Sequence, residues 1–179
     1  MARAAKSKPS KWVGRRLPRK EDPRLIQGIS HYTDDLQLSG MLYCAFVRSP
    51  HANAKIQSIE TDAARAVAGV VAIITGQDLT DVGGVPCAGA LPGLKLPPHP
   101  PLAKGHVRYV GEPVAAVVAE DFYAARDAVE LVMVDYDSQP AAVDMEKALE
   151  GGPLVHPQFG TNLAFTHELK NGDISGAFE

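Results

Sequence analysis

The chain has 179 residues, of which 45% are hydrophobic and 22% are charged, a composition typical of one folded globular domain rather than a disordered chain. No apolar run approaches the roughly 20 residues that cross a bilayer, so no transmembrane helix is predicted. The net charge of -3 is divided unevenly: residues 1–24 hold nine basic and two acidic residues, a net +7, and the remainder carries -10.

Residues 1–20 are predicted to form an extended basic arm. Such an arm can bind nucleic acid, an anionic membrane or an acidic protein surface, or it can be a solvated leader. Nucleic acid is the least favoured, because the arm has one aromatic residue, Trp12, and the acidic body repels phosphate. Arg15-Arg16 is followed by Leu17-Pro18-Arg19-Lys20 instead of the apolar stretch that twin-arginine export requires, so a cytoplasmic location is predicted.

The chain then begins to show helix and strand signals. Asp22, Pro23 and Gly28 predict a short helix with an N-cap, a proline in its first turn and a glycine stop. Residues 32–35 are typical of a turn. Residues 41–48 form an apolar stretch that ends at Arg48, which predicts a strand buried on both faces.

Alternation in residues 55–60 predicts a half-exposed strand. Thr61 is a candidate cap for a short helix that runs to Ala68. Residues 70–74 are rich in β-branched side chains and predict a second buried strand. Residues 81–105 hold six of the fourteen prolines and five of the sixteen glycines, which predicts a long loop of the kind that often forms an interaction surface.

Asp121 is the expected cap of a longer helix with Phe122, Ala125 and Val129 on its apolar face, and Val132 continues that spacing. The other elements predicted are strands at 107–110, 114–119, 132–135 and 163–167, and a helix at 143–149. Because strands and helices interleave, the sequence predicts an α/β (α+β) fold with a mixed sheet packed by helices.

The sequence contains no complete catalytic motif: no glycine-rich phosphate loop, no nucleophile elbow and no histidine at zinc-ligand spacing. Cys44 and Cys87 are predicted to be reduced and buried. A reactive thiol is the alternative for Cys87, because it lies in a loop. The carboxylate pairs Asp34-Asp35 and Asp135-x-Asp137 are predicted to serve turns or solvent. Glu112, between a glycine and a proline, would need a partner if buried, and packing is the favoured reason for this motif.

A series of short stretches, in order, resembles the molybdopterin-binding large subunits of the xanthine dehydrogenase and aldehyde oxidase superfamily, above all those of the carbon monoxide dehydrogenase type. Residues 48–54 (RSPHANA) are similar to the family's RSPHAHA stretch, with Asn53 in place of the usual histidine. The other stretches that carry the resemblance are 14–28, 32–35 with 41–42, 69–75, 107–115, 134–136 with 140–141, and 162–163 with 172–173.

The resemblance implies an α/β hammerhead domain with an extended basic N-terminal arm. It implies a reaction in which a molybdenum–pterin site hydroxylates a small carbon substrate, or oxidises carbon monoxide, with water as the oxygen source. It also implies partners: an FAD-binding medium subunit, an iron–sulfur small subunit with [2Fe-2S] clusters, and the remainder of the large subunit. Purine, aldehyde, N-heterocycle and carbon monoxide substrates are all compatible with it.

The expected organisation is a basic arm at 1–20, the hammerhead domain at 21–155, and a linker at 156–179 toward an absent molybdopterin-binding domain. In the family, the pterin-binding segments and the glutamate base lie downstream, so no catalytic, cofactor-binding or metal residue is assigned to this chain. The predicted function is a structural and docking domain of a molybdenum hydroxylase; the alternative is a stand-alone binding or assembly module without redox activity. The candidate docking residues are Arg15, Arg16, Arg19, Arg48, Ser49 and His51.

Overall fold

In the computed structural model the described residues are 12, 14–89, 91–169 and 171–178. The chain divides into two compact units, residues 1–41 and residues 42–179. Residues 1–11 and 13 of the predicted basic arm lie outside the described residues. None of the described helices is both long and apolar enough to cross a membrane.

The described part of the first unit contains helix α1 (Asp22–Ile26) and a 3-10 turn at Thr33–Asp35, as the sequence predicts. The predicted N-cap at Asp22 is wrong, because Glu21 occupies the cap position and makes no side-chain cap. The Asp22 carboxylate instead accepts hydrogen bonds from the backbone N–H and the Nε–H of Arg19, at 3.0 and 2.9 Å. It therefore closes the turn that precedes the helix.

The described residues of the second unit form six strands and four α-helices. The strands are β1 (Tyr43–Arg48), β2 (Ala54–Glu60), β3 (Val70–Thr75), β4 (His106–Val107), β5 (Pro113–Ala119) and β6 (Met133–Ser138). The helices are α2 (Asp62–Arg65), α3 (Phe122–Glu130), α4 (Met145–Leu149) and α5 (Ile174–Phe178). The strands form two antiparallel sheets, with the orders β1–β5–β3 and β4–β2–β6. The predicted α/β class is confirmed, although two small antiparallel sheets replace the single mixed sheet.

The main core lies between the first sheet and α3. The helix faces the sheet with Ala124, Ala125 and Ala128, whose small side chains allow a close approach to the central strand β5. The predicted cap is confirmed: Oδ1 of Asp121 accepts two backbone N–H groups of the first turn, at 2.8 and 2.9 Å. The predicted apolar face is confirmed in part: Ala125 and Val132 are buried and Val129 packs against the core, whereas Phe122 is 53% exposed.

A second cluster connects the two sheets. Ala54 of β2, Val107 of β4, Val114 of β5 and Ala103 of the long loop pack together, and all four are nearly inaccessible to solvent. The half-exposed character predicted for β2 is confirmed, with a register shift midway along its pairing with β6. This cluster anchors the end of the loop against the sheets, so the loop has a defined path near the site described below.

The first sheet is less buried than the sequence predicts. β1 alternates between the two sides, leaving Cys44, Phe46 and Arg48 exposed, and Val71 of β3 is 54% exposed. Because β1 and β3 are the edge strands and α3 covers one face, their outward side chains reach solvent. Both cysteines are free thiols, but the prediction that they are buried is wrong, since Cys44 and Cys87 are both exposed.

Three predicted elements are shorter than expected or absent. The strand expected at 107–110 ends at Val107, because the chain turns back through Gly111, which has a φ of +88°. Helix α2 ends at Arg65, before the expected Ala68. Residues 163–167, all of them described, form no strand; two single hydrogen bonds of 3.0 Å connect the segment to Lys95 without a ladder.

Candidate functional site

Two turns meet where β1 ends and β5 begins. The backbone N–H of Ser49 donates to the carbonyl of Glu112 at 2.9 Å, and the N–H of Gly111 donates to the carbonyl of Ser49 at 2.7 Å. Nη1 of Arg48 donates to the carbonyl of Gly111 at 2.9 Å. The reciprocal bonds fasten residues 48–51 to residues 111–113, two of the stretches that the sequence singles out.

The same segment also contacts the second sheet. The ring of His51 lies 4.9 Å from that of Tyr136, and its Nδ1 is 3.0 Å from Oγ of Ser138. Burial raises the pKa of Tyr136, and the Ser49 hydroxyl opposes that rise. Ser49 is itself buried, and its Oγ accepts the N–H of His51 at 3.0 Å. Residues 48–53 therefore act as an internal joint between the two sheets.

Asn53 stands where the family that this sequence resembles usually has a histidine, and its side chain has hydrogen-bond partners on both sides. Its Oδ1 lies 2.6 Å from Nε2 of His106, and its Nδ2 donates to the carbonyl of Pro140 at 2.5 Å. An amide supplies both an acceptor and a donor here, so the departure from the family pattern keeps the segment bonded on both sides.

Glu112 has the partner that a buried carboxylate requires. Its side chain is 6% exposed, and Oε2 accepts the backbone N–H of Arg108 at 2.5 Å. Because this bond spans the turn at Gly111, the carboxylate fixes the conformation of the turn. The expected structural role is therefore supported by a specific contact.

A cavity of about 670 Å³ lies beside this joint. Two segments of the long loop form its mostly apolar walls, and residues 108–109 and 155–156 contribute the opposite side. Two smaller cavities adjoin it, of about 310 and 230 Å³, and Arg108 lines all three. The long loop thus forms part of a mostly apolar concave surface around Arg108.

Two cations, Arg108 and Lys104, and the carboxylate of Glu112 line these cavities. Nε of Arg108 donates to the carbonyl of Val155 at 3.3 Å, and Nη1 contacts the carbonyl of His106 at 3.5 Å. Burial, followed by the charge of Arg108, lowers the pKa of both His106 and His156. Nδ1 of His156 is buried and has no hydrogen-bond partner among the described residues. Both histidines are therefore neutral near pH 7, and Arg108 and Lys104 provide the positive charge.

The predicted docking residues belong to both units. Arg15, Arg16 and Arg19 are exposed in the first unit, where Arg19 pairs with Asp22. In the second unit, Arg48 is exposed and its guanidinium lies 5.6 Å from the centre of the Phe46 ring. His51 and Ser49 belong to the internal joint, so Ser49 can only support a docking surface by holding its neighbours in place.

The sequence does not single out Arg108 or His156. Arg108 stands in a stretch that resembles the family, but its position at the meeting point of three cavities depends on contacts with Val155, 47 residues away. Composition indicates only that residues 81–105 form a surface loop. No local pattern reveals which side chains that loop faces.

The carboxylate pairs serve turns, as predicted. Oδ2 of Asp35 accepts the N–H of Tyr32 at 2.9 Å, and Oδ2 of Asp137 accepts Nε2 of Gln139 at 2.9 Å. Within the described ranges, no three or more histidine, cysteine, aspartate or glutamate side chains are grouped in a way that could hold a metal ion. These residues therefore supply neither an acid–base pair in a cavity nor a metal centre.

Known proteins are similar to this chain in sequence and in fold. The family model of the aldehyde oxidase and xanthine dehydrogenase a/b hammerhead domain matches residues 27–140. The chain is 38% identical to the nicotine 6-hydroxylase large subunit of Paenarthrobacter nicotinovorans over 93% of its length and 20% of that protein. It is 40% identical to the carbon monoxide dehydrogenase large chain of Afipia carboxidovorans, over 87% of this chain and 19% of the relative.

Solved structures of similar proteins have the same fold as this chain. Quinoline 2-oxidoreductase from Pseudomonas putida 86 superimposes with a TM-score of 0.78 and 39% identity, over 83% of this chain and 19% of that one. The chain spans about a fifth of the length of the curated relatives that it matches. It belongs to the aldehyde oxidase and xanthine dehydrogenase family, and the part of that family which it represents is the α/β hammerhead domain.

Proposed function

We propose that this chain serves as the hammerhead domain of the large subunit of a molybdenum-dependent hydroxylase. The whole enzyme would oxidise a small carbon substrate with water as the oxygen source. The observation that carries the proposal is the match to two large subunits at 38% and 40% identity, along most of this chain but only a fifth of each relative. One relative in Escherichia coli is named as a molybdenum-binding subunit.

The described residues contain no group of three or more His, Cys, Asp or Glu that could hold a metal ion, and none of them is assigned to a molybdenum–pterin group. The group would supply the oxidising centre from the rest of the large subunit, and no catalytic step is assigned to residues of this chain. The role proposed for the domain is to shape the subunit and to dock against its neighbours. FAD and [2Fe-2S] clusters would reside in a medium and a small partner subunit.

Exposed apolar side chains support a docking role. None of the residues of α4 is buried, and Met145 and Leu149 are 82% and 62% exposed. Val143, just before this helix, is 86% exposed. An apolar patch of this kind is typical of a surface that another protein segment covers. A cytoplasmic site of assembly is part of the proposal, because a basic and not an apolar stretch follows Arg15-Arg16.

The decisive experiment is to measure the mass and the molybdenum content of the native gene product purified from its source cells. A product several times heavier than 19.1 kDa that carries molybdenum is the expected result. A 19.1 kDa product that co-purifies with molybdenum-bearing chains would indicate a split large subunit. A small product without molybdenum-bearing partners would refute the proposal and favour a stand-alone binding or assembly module.

Docking by the basic segment has its own test. Reversing the charges of Arg15, Arg16 and Arg19 to glutamate should weaken the association of the FAD-binding and iron–sulfur subunits, measured by co-purification at low and high salt. The matched control is Arg126→Glu, at an exposed position of α3. Unchanged association in the triple variant would show that this segment is not the contact, leaving Arg48 and His51 to be tested in the same way.

A further inference from the structure

Arg108 occupies an unusual position in the second unit. It lines three adjoining cavities of about 670, 310 and 230 Å³, and no other described residue lines all three. The largest has a volume within the range of specific binding pockets in proteins, about 300–1,000 Å³. Any segment that fills these cavities must therefore contact this side chain.

The charge of Arg108 lacks a direct counter-ion in the part of the chain that the structure describes. Its guanidinium contacts two backbone carbonyls, those of Val155 and His106, and forms no ion pair with a described carboxylate. Glu112 lines the same cavity, but its Oε2 accepts the backbone N–H of Arg108 and not the guanidinium. A partly buried guanidinium with free N–H donors is suited to bind a carboxylate through two parallel hydrogen bonds.

The walls around this cation are mostly apolar. Leu96, Pro97 and Val155 line the largest cavity, and Val110 and Val143 line the smallest. The apolar surface continues outside the cavities, since Val110 is 64% and Val143 86% exposed. A small molecule confined to one cavity would leave this surface uncovered, whereas a polypeptide segment can cover both parts at once.

We propose that Arg108 binds a carboxylate of the molybdenum-binding remainder of the same large subunit, on a segment whose apolar side chains fill the flanking cavities. This inference rests on the proposed function, because the curated relatives extend over about five times the length of this chain. The acceptor chemistry is that of an aspartate, a glutamate or a chain-terminal carboxylate. Arg108 is thus the shared polar anchor of a mostly apolar interface.

The test uses the complete enzyme with Arg108→Lys, which keeps the positive charge and introduces an amine. A carbodiimide joins a lysine amine to a carboxylate in direct contact, and mass spectrometry of the digested enzyme identifies both peptides. The expected product joins residue 108 to an acidic residue in the remainder of the large subunit. Arg126→Lys, on the exposed face of α3, is the matched control and should not yield the same acidic peptide.

A second measurement uses a native thiol in the cavity that Arg108 lines. Cys87 is a free thiol that lines the largest cavity, so a bound segment should cover it. In the unmodified complete enzyme, Cys87 should react with N-ethylmaleimide at least about tenfold more slowly than in a synthetic peptide of residues 84–91, and Arg108→Gln should restore about tenfold of that rate.

Several outcomes would overturn the inference. They are a cross-link to the FAD-binding or iron–sulfur subunit, a cross-link to Glu112 alone, or a Cys87 that reacts as fast in the enzyme as in the peptide. Displacement of the protection by a small carboxylic acid would assign the cavity to a free ligand. Molybdenum content measured on the same preparation separates this inference from the proposed function: a molybdenum-bearing large subunit without the cross-link or the protection refutes the anchor and leaves the family role intact.

Discussion

Replacing Glu112 by alanine tests whether a buried carboxylate holds the turn between β4 and β5. Oε2 of this 6% exposed side chain accepts the N–H of Arg108 at 2.5 Å. Hydrogen bonds to charged groups contribute about 1.5–3 kcal/mol to stability, and the buried methylene beyond Cβ contributes about 0.8 kcal/mol. The free energy of unfolding should therefore fall by about 2–4 kcal/mol.

The assay is equilibrium unfolding in urea followed by circular dichroism, together with a thermal scan. In a chain of this size a loss of this magnitude lowers Tm by roughly 10 °C. Glu112→Gln keeps an oxygen acceptor in the same place and should lose only about 1 kcal/mol. Glu60→Ala, at an exposed strand end, is the matched control and should stay within about 0.5 kcal/mol of the parent chain.

The reasoning fails if Glu112→Ala is as stable as the control variant, because the bond to the N–H of Arg108 would then contribute nothing to the turn. A different result, in which the glutamine and alanine variants are equally destabilised, would show that the negative charge matters and the acceptor atom does not. In that case the electrostatic field between Glu112 and the nearby cations would stabilise the turn.

Three further predictions follow from burial and close approach. Because the folded pKa of His156 lies below its unfolded value of 6.5, the unfolded state binds protons first on acidification, so stability should fall as pH drops below about 7; His156→Asn should flatten this dependence in urea midpoints at pH 7.5 and 5.5, and parallel slopes would contradict it. Gly76→Ala places a Cβ 2.9 Å from the carbonyl carbon of Ala103 and should cost about 1–3 kcal/mol, whereas Gly83→Ala, which meets nothing within 4 Å, should be neutral in the same assay. Both cysteines should be alkylated in the native 179-residue chain, and a thiol that reacts only after unfolding would contradict the exposed positions.

Local signals predicted several elements correctly because their causes are local. The Asp121 carboxylate caps α3 by bonding N–H groups only two and three residues away. Likewise, the alternation in residues 54–60 corresponds to a strand with one side toward the core. Where a stabilising contact spans only a few residues, a short stretch of sequence contains both partners and is enough to predict it.

Burial was predicted less well, because it depends on what packs against an element. The apolar run that forms β1 was expected to be covered on both faces, yet Cys44 and Phe46 are exposed on its outer face. On α3, the alanines rather than Phe122 face the sheet, since small side chains allow the helix to lie closer to β5. Propensity and periodicity do not specify which of two possible faces meets a neighbour.

The family, the α/β class and the lack of a complete catalytic motif were all accessible from the amino-acid sequence, because they depend on residue types and their order along the chain. Only the tertiary structure shows the two antiparallel sheets and the hydrogen bonds between residues 48–51 and 111–113. It alone also places Arg108 among three cavities. Those features depend on contacts between segments separated by tens of residues, such as Arg108 and Val155. The fold brings these partners together, and no local pattern records their proximity.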